Sequence, residues 1–341
     1  MERATLKTIA DHTGLSVTTV SRALKNGAEV KPDTIAKVKQ AAKTLGYRPN
    51  ASGISLKTGK TFMLALIMPV LKPGDTVGDL GILPLIEGLT AGLNNTPYHL
   101  AVIPQVAGEP AFAPVEYVVE HGLADGVILT STLADDDRVR YLNEKRFPFV
   151  TFGRTELATP HPWYDVDNAD FTYRAAKWLY ERGRRQLVLV ASDAKYSFAW
   201  HRRIGFNRAA QEQGLTIDEK LQILPEGPAH TYAQFVADAC SLPAPPDGYI
   251  CGTEVAAIGV ASSLQLAGQV VGKQVDIVSL ESTSLATFFH VPLAGFRQDL
   301  RHAGAVLSGL LLRRIDGEDA EKLQVLETAT FVEHNSMEFT L

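Results

Sequence analysis

From Thr61 onward the chain alternates short apolar runs with amphipathic stretches, and this alternation leaves few folds open. The apolar runs read as buried strands at Phe62–Met68, His99–Ile103, Gly126–Leu129, Phe149–Phe152, Leu187–Ala191, Gly248–Cys251, Asp276–Leu280 and Gly295–Phe296. Helical spacing lies between several of them, at Leu83–Leu93, Phe171–Arg182, Arg202–Gln213 and Glu254–Leu266. Strands joined by crossover helices make parallel sheets. Some 280 residues exceed one comfortable core, so two such lobes are expected, with the cleft between them a favoured ligand site. The longest apolar run, Phe62 to Val70, falls well short of the ~20 residues that span a bilayer.

The first 46 residues have a different texture and predict three short helices. Leu6, Ile9 and Ala10 form one apolar face, which Gly14 terminates in the position suited to a left-handed cap. Ser16 is an N-cap for a helix from Val17 to about Lys25, with Val20, Ala23 and Leu24 facing inward. Asn26-Gly27 breaks it. A third helix starts near Pro32 and carries Ile35, Val38, Ala42 and Leu45 at spacings of three and four before Gly46. Two helices joined by Thr13-Gly14-Leu15-Ser16 and braced by a third make a helix-turn-helix unit. Residues 47–60 are small, polar and basic, and read as a linker.

Charge divides along the same boundary. The 341 residues total −5, but residues 1–60 hold eleven Lys and Arg against four acids, a net +7, which leaves −12 for the remainder. A basic head on an acidic body points the head at a polyanion. If the second helix enters a major groove, Arg22 can bond guanine O6 and N7 with two donors. Thr18 offers a hydroxyl and a methyl, and Val17 an apolar contact suited to a thymine methyl. Ser16, Thr19, Ser21 and Asn26 suit phosphate oxygens.

Composition removes other classes. A chain 45% hydrophobic and 21% charged is neither disordered nor fibrous. Two cysteines, Cys240 and Cys251, exclude a disulfide scaffold and a four-cysteine zinc site. No apolar stretch of signal-peptide length follows Met1, so a cytoplasmic protein is expected. No Gly-x-Gly-x-x-Gly follows a strand, and neither Gly-x-Ser-x-Gly nor His-Glu-x-x-His occurs. Gly268-Gln269-Val270-Val271-Gly272-Lys273-Gln274 is one residue short of a phosphate loop and has Gln where Ser or Thr would hold magnesium. No enzyme, cofactor or metal is expected.

The run Thr5-Leu6-Lys7-Thr8-Ile9-Ala10, then Gly14 through Asn26, resembles the N-terminal signature of the lactose-repressor (LacI/GalR) family of transcriptional regulators. The likeness continues through Gly46–Ala51 and Ser55-Leu56-Lys57, with shorter matches at Tyr180–Arg184, Arg202–Phe206 and Arg313–Glu318. It implies an all-α helix-turn-helix head on an α/β, periplasmic-binding-protein-like core of two doubly wound parallel-sheet subdomains. The expected boundaries are 1–46 for the head, 47–60 for the hinge and 61–341 for the effector-binding and dimerisation part. Within that part, the N-subdomain covers about 61–161 and 293–325, and the C-subdomain about 162–292 and 326–341.

By the same resemblance, Val17, Thr18 and Arg22 contact bases, while Thr5, Ser16, Thr19, Ser21, Asn26 and Tyr47 touch the backbone. Leu6, Asn50 and Ala51 belong to the same DNA-contacting set, and Leu56 wedges into the central base step. The hinge departs from the family pattern at Gly53 and Ile54, and is expected to be helical only on operator.

For the ligand, polar and aromatic residues at strand ends nominate Phe152, Arg154, Trp163 and Trp200. Charged groups pair with sugar hydroxyls, and aromatic faces meet the C–H face of the ring. Arg202 matches the family's effector-binding arginine, and Glu254 and Glu281 fall where relatives place a ligand-bonding Asp or Asn. The expectation is a homodimeric repressor on a pseudo-palindromic operator in double-stranded DNA, without membrane contact, released by a small carbohydrate such as a glucoside or disaccharide. Two alternatives are a purine- or nucleoside-type corepressor mode and a cytoplasmic sugar-binding protein with a tethering head.

Overall fold

The computed structural model describes residues 4–47, 58–69, 80–105, 108–190, 195–215, 229–288 and 292–334. The expected hinge contacts Asn50, Ala51 and Leu56, with Gly53 and Ile54, lie outside the described residues. The chain divides into two compact units, Met1–Thr61 and Phe62–Leu341.

In the first unit, α1 (Leu6–Thr13), α2 (Val17–Leu24) and α3 (Pro32–Thr44) enclose Ile9, Ala10, Val20, Ala23, Val38, Ala41 and Ala42. Gly14 takes φ +70° and returns its N–H to Ala10 O, the left-handed stop that lets the chain turn into α2. Lys37 is structural: its Nζ donates to Thr13 O at 2.9 Å, tying α3 to the C-terminus of α1.

The second unit holds two sheets. The first has the order β10-β5-β4-β3-β1-β2 and is all parallel, from β1 (Met63–Pro69), β2 (His99–Gln105), β3 (Gly126–Leu129), β4 (Phe149–Phe152), β5 (Trp163–Val166) and β10 (Gln324–Glu327). The second has the order β11-β9-β8-β7-β6, from β6 (Leu187–Val190), β7 (Gly248–Cys251), β8 (Asp276–Glu281), β9 (Leu293–Arg297) and β11 (Thr330–His334), with only β11 antiparallel. Helices cover both faces of each, so buried residues run continuously along the inner strands, while the edge strands β2, β10 and β11 are partly exposed.

On the first sheet, Leu64 and Leu66 face α4 (Ile82–Gly92) and α11 (Leu300–Ile315), while Ala65 and Ile67 face α5 (Ala113–Glu120) and α6 (Asp137–Glu144). On the second, α7 (Asn168–Glu181) and α8 (Ser197–Gln213) lie on one face, and α9 (Ala229–Cys240) and α10 (Glu254–Leu266) on the other. Glycine permits the closest helix crossings. A Cβ on Gly88 would collide with Arg301 O where α4 meets α11, and one on Gly205 with Ala169 O where α8 meets α7.

The expected lobe boundaries need correcting at two strands. Trp163–Val166 pairs within the first sheet and Leu293–Arg297 within the second, so the chain crosses after Val166, after Arg297 and after Glu327. The reason for the first is that Tyr164 and Val166 bury in the main core while β4 and β10 flank the strand on both sides.

Candidate functional site: a helix-turn-helix face and an interlobe cleft

In the head, the inward face of α2 is taken by Val20 and Ala23, which leaves Val17, Thr18 and Arg22 exposed on the opposite side with the half-buried Ser21. Ser16 caps the helix, accepting from Thr19 N–H at 3.1 Å, and its hydroxyl meets Thr19 Oγ1 at 2.8 Å. Thr5 and Thr8 cap α1 reciprocally, each backbone N–H bonded to the other's hydroxyl at 3.1–3.2 Å. Leu6 and Tyr47 pack against the head core, and Asn26 takes a left-handed φ of +56°. Val17 and Thr18 stand exposed on α2 beside Arg22, which pairs with Glu29, whereas Ser16, Thr19 and Thr5 hold local bonds.

In the second unit the two lobes meet where β3, β4 and β5 end and α8 begins. Ser197 N–H and Oγ donate to Thr132 O at 3.0 and 3.1 Å, and Leu133 bridges Tyr196. Gly153, at φ +105°, leaves room here: an added Cβ would sit 3.2 Å from Thr132 Oγ1. The segment behind is braced by buried Arg138, whose Nη2 donates to Ser131 O at 3.0 Å and pairs with Asp136 at 2.7 Å.

A buried polar cluster spans the junction. Arg154 Nε lies 3.5 Å from Asp165 Oδ2, and its guanidinium sits 6.0 Å from the Trp163 ring. From the second lobe, His201 Nε2 meets Glu156 Oε1 at 2.8 Å, and its Nδ1 points towards Asp165 Oδ2 at 3.9 Å. Burial pushes the Asp165 carboxyl up to about 7, even with Arg154 beside it, and holds His201 below the usual imidazole range. Asp165 Oδ2 and His201 Nδ1 have no hydrogen-bond partner among the described residues.

Arg202 is buried one turn along. Its Nε donates to Asn168 Oδ1 at 2.8 Å, its guanidinium lies 4.9 Å from the Phe198 ring, and a Cβ on Gly252 would collide with Nη1. The helix starts at Ser197 rather than at Arg202, which puts Phe198 and Arg202 at i, i+4 and makes the stack possible.

Arg154, Trp163 and Arg202 therefore fall at the junction. Phe152 does too, but packs on Tyr164 at 6.0 Å as part of the core. Trp200, on α8, is 46% exposed. Glu254 and Glu281 have internal partners instead of open carboxylates. Glu254 Oε1 accepts from Thr283 N–H and Oγ1 at 2.9 and 2.7 Å. Glu281, fully buried, meets Arg297 at 3.1 Å and His334 at 2.7 Å, and its carboxylate crosses the strand over Gly295. The partners of both carboxylates lie within the second lobe. Thr132 and Asn168 also stand at this junction, just beyond strand ends where polar residues are a signal, and Asp165 and Phe198 stand in the two stretches around Trp163 and Trp200.

Residues 5–50 match the bacterial regulatory proteins of the lacI family, and residues 176–337 match the periplasmic binding protein-like domain. The regulator RafR of Escherichia coli is 31% identical over 330 residues, covering 96% of each chain. This chain belongs to the LacI family. It is thus a helix-turn-helix, DNA-binding transcriptional regulator, in a family whose curated relatives here are named as regulators and not as enzymes. Two solved structures share the LacI-family fold. The lac repressor dimer bound to operator and the anti-inducer ONPF has a TM-score of 0.83 at 18% identity, covering 98% of this chain and 99% of that one. A CelR–cellobiose complex has 0.71 at 22%, covering 97% and 99%. Among the described residues no helix is long and apolar enough to cross a membrane, and no cluster of His, Cys, Asp or Glu could hold a metal ion.

Proposed function

We propose that this LacI-family member is a cytoplasmic, homodimeric repressor that binds a pseudo-palindromic operator and is released by a small carbohydrate held between the lobes. The observation that carries the DNA half is the open face of α2, with Val17, Thr18 and Arg22 opposite the buried Val20 and Ala23. Arg22 supplies the bidentate donor for guanine, Thr18 and Val17 supply a hydroxyl and apolar contact, and Ser21 and Asn26 position the helix on phosphates.

For the effector, the support is the set of groups at the lobe junction. Arg202 is pre-oriented by Asn168 and Phe198. Arg154, Asp165 and His201 supply donors and acceptors, and Trp163 supplies an aromatic face. Alternating polar groups and ring faces suit a polyhydroxylated ring. The CelR neighbour is a complex with cellobiose, which supports the same ligand class. A ligand that binds one lobe arrangement better than the other shifts DNA affinity by the same factor that DNA shifts ligand affinity. The test is to select an operator from random duplexes with the full-length protein and titrate mono- and disaccharides against that complex. Release by a sugar supports the reading. Tighter DNA binding on adding a purine or nucleoside, with no sugar response, replaces it with a corepressor mode.

A further inference from the structure

The loop after α2 brings an acid onto the reading face. Lys25 and Gly27 N–H both donate to Arg22 O, at 3.1 and 2.9 Å, Asn26 is left-handed, and Val30 N–H donates to Gly27 O at 3.0 Å. This tight return places Glu29 Oε1 3.4 Å from Arg22 Nε, with both side chains more than half exposed. Gly27 makes the space: a Cβ there would lie 2.9 Å from Glu29 Oε2. Arg22 and Glu29 face one recess, lined also by Leu15, Thr19 and Lys31.

We propose that Glu29 is a positioning and discriminating residue for Arg22, aiming its guanidinium at a base while weakening attachment to DNA that lacks that base. The inference rests on the reading of Arg22 as a base contact. The contact is at Nε, and Nη1 and Nη2 are the two donors that an end-on fork presents to guanine O6 and N7. A carboxylate beside Arg22 also partly cancels its attraction for phosphates, a sequence-independent contribution felt on any duplex. Aim is rewarded only on the correct base, and repulsion acts everywhere. The net effect is a larger ratio of specific to non-specific affinity in a segment that is otherwise strongly basic.

The experiment measures full-length protein on a selected operator, on operators altered at single base pairs and on random duplex, across a range of potassium chloride. Glu29→Gln is expected to bind random duplex about threefold more tightly. It should also lose about threefold of its preference at the base pair to which Arg22→Ala becomes indifferent. Glu29→Asp keeps the charge but is one methylene short. Its random-duplex affinity should stay at the wild-type level while base preference falls. If Arg22→Ala loses base preference but both Glu29 variants match wild type on every duplex, the Glu29 proposal is overturned and the role of Arg22 stands. If Arg22→Ala weakens operator and random duplex equally, the base-reading role fails and takes the Glu29 proposal with it.

Discussion

Asp165 Oδ2 on the first lobe and His201 Nδ1 on the second lie 3.9 Å apart, too far for a hydrogen bond, and burial favours the neutral form of both groups. Both atoms are buried. The junction thus holds a carboxyl oxygen and a ring nitrogen from opposite lobes, neither hydrogen-bonded among the described residues.

The pH dependence of stability follows from the shift at Asp165. The folded carboxyl titrates near 7 against 3.8 in the unfolded chain, so the folded state holds the extra proton between those values. Stability from this group is complete below about pH 4 and is lost as pH rises through 7. Asp165→Asn removes the dependence. Its melting temperature relative to wild type should climb between pH 5 and pH 8, and a difference that stayed flat would count against the buried carboxyl.

His161 works in the opposite direction. Burial lowers its imidazole from 6.5 to about 4, with Nε2 3.1 Å from Thr151 Oγ1 and the ring stacked on Phe149. Stability is present above 6.5 and lost as pH falls through 4. His161→Gln should flatten the acid side of the thermal profile, measured between pH 6.5 and pH 4.

Arg202→Ala should abolish the sugar response and leave operator affinity unchanged. Arg202→Lys should fail as well, because a single ammonium lacks the guanidinium plane that meets both the Phe198 ring and Asn168 Oδ1. An operator-release titration checks both, and a normal response in the lysine variant would remove the stacked geometry from the mechanism.

Glu281 separates stability from ligand response. Glu281→Gln weakens the bonds to Arg297 and His334 and should cost about 1–3 kcal/mol in denaturant unfolding. The sugar response of the folded protein should survive. A lost response with unchanged stability would return Glu281 to the ligand set.

Gly205→Ala tests the packing that places Arg202. Its Cβ would press on Ala169 O and on Thr172 Oγ1, the group that donates to Arg202 O at 2.7 Å. Overpacking of this kind costs about 1–3 kcal/mol. A lower melting temperature together with weakened sugar response is the expected pair of results.

Local chemistry made much of this molecule legible. Ser16, Gly14 and the spacing of Val20 and Ala23 specify α2 within a few residues, and Gly126–Leu129, Phe149–Phe152 and Gly248–Cys251 are strands with the expected bounds. What escaped depends on residues far apart in sequence. Trp163–Val166 contains a carboxylate and reads poorly as a buried strand until β10, more than 150 residues later, closes over it. Glu281 resembles a ligand group until Gly295 lets it lie across β9 and His334 arrives to meet it. Asp165 meets His201 only when α8 carries the histidine back from the other lobe.

The three crossings between lobes also set an order of events during synthesis. The first sheet lacks its edge strand until Glu327 has emerged and the second until His334, so both sheets are complete only late in synthesis. The head needs only its first few dozen residues. On a ribosome adding about 5–20 residues per second, the head can fold seconds before the two sheets are complete. For that interval the nascent protein carries a folded head ahead of an unfinished core.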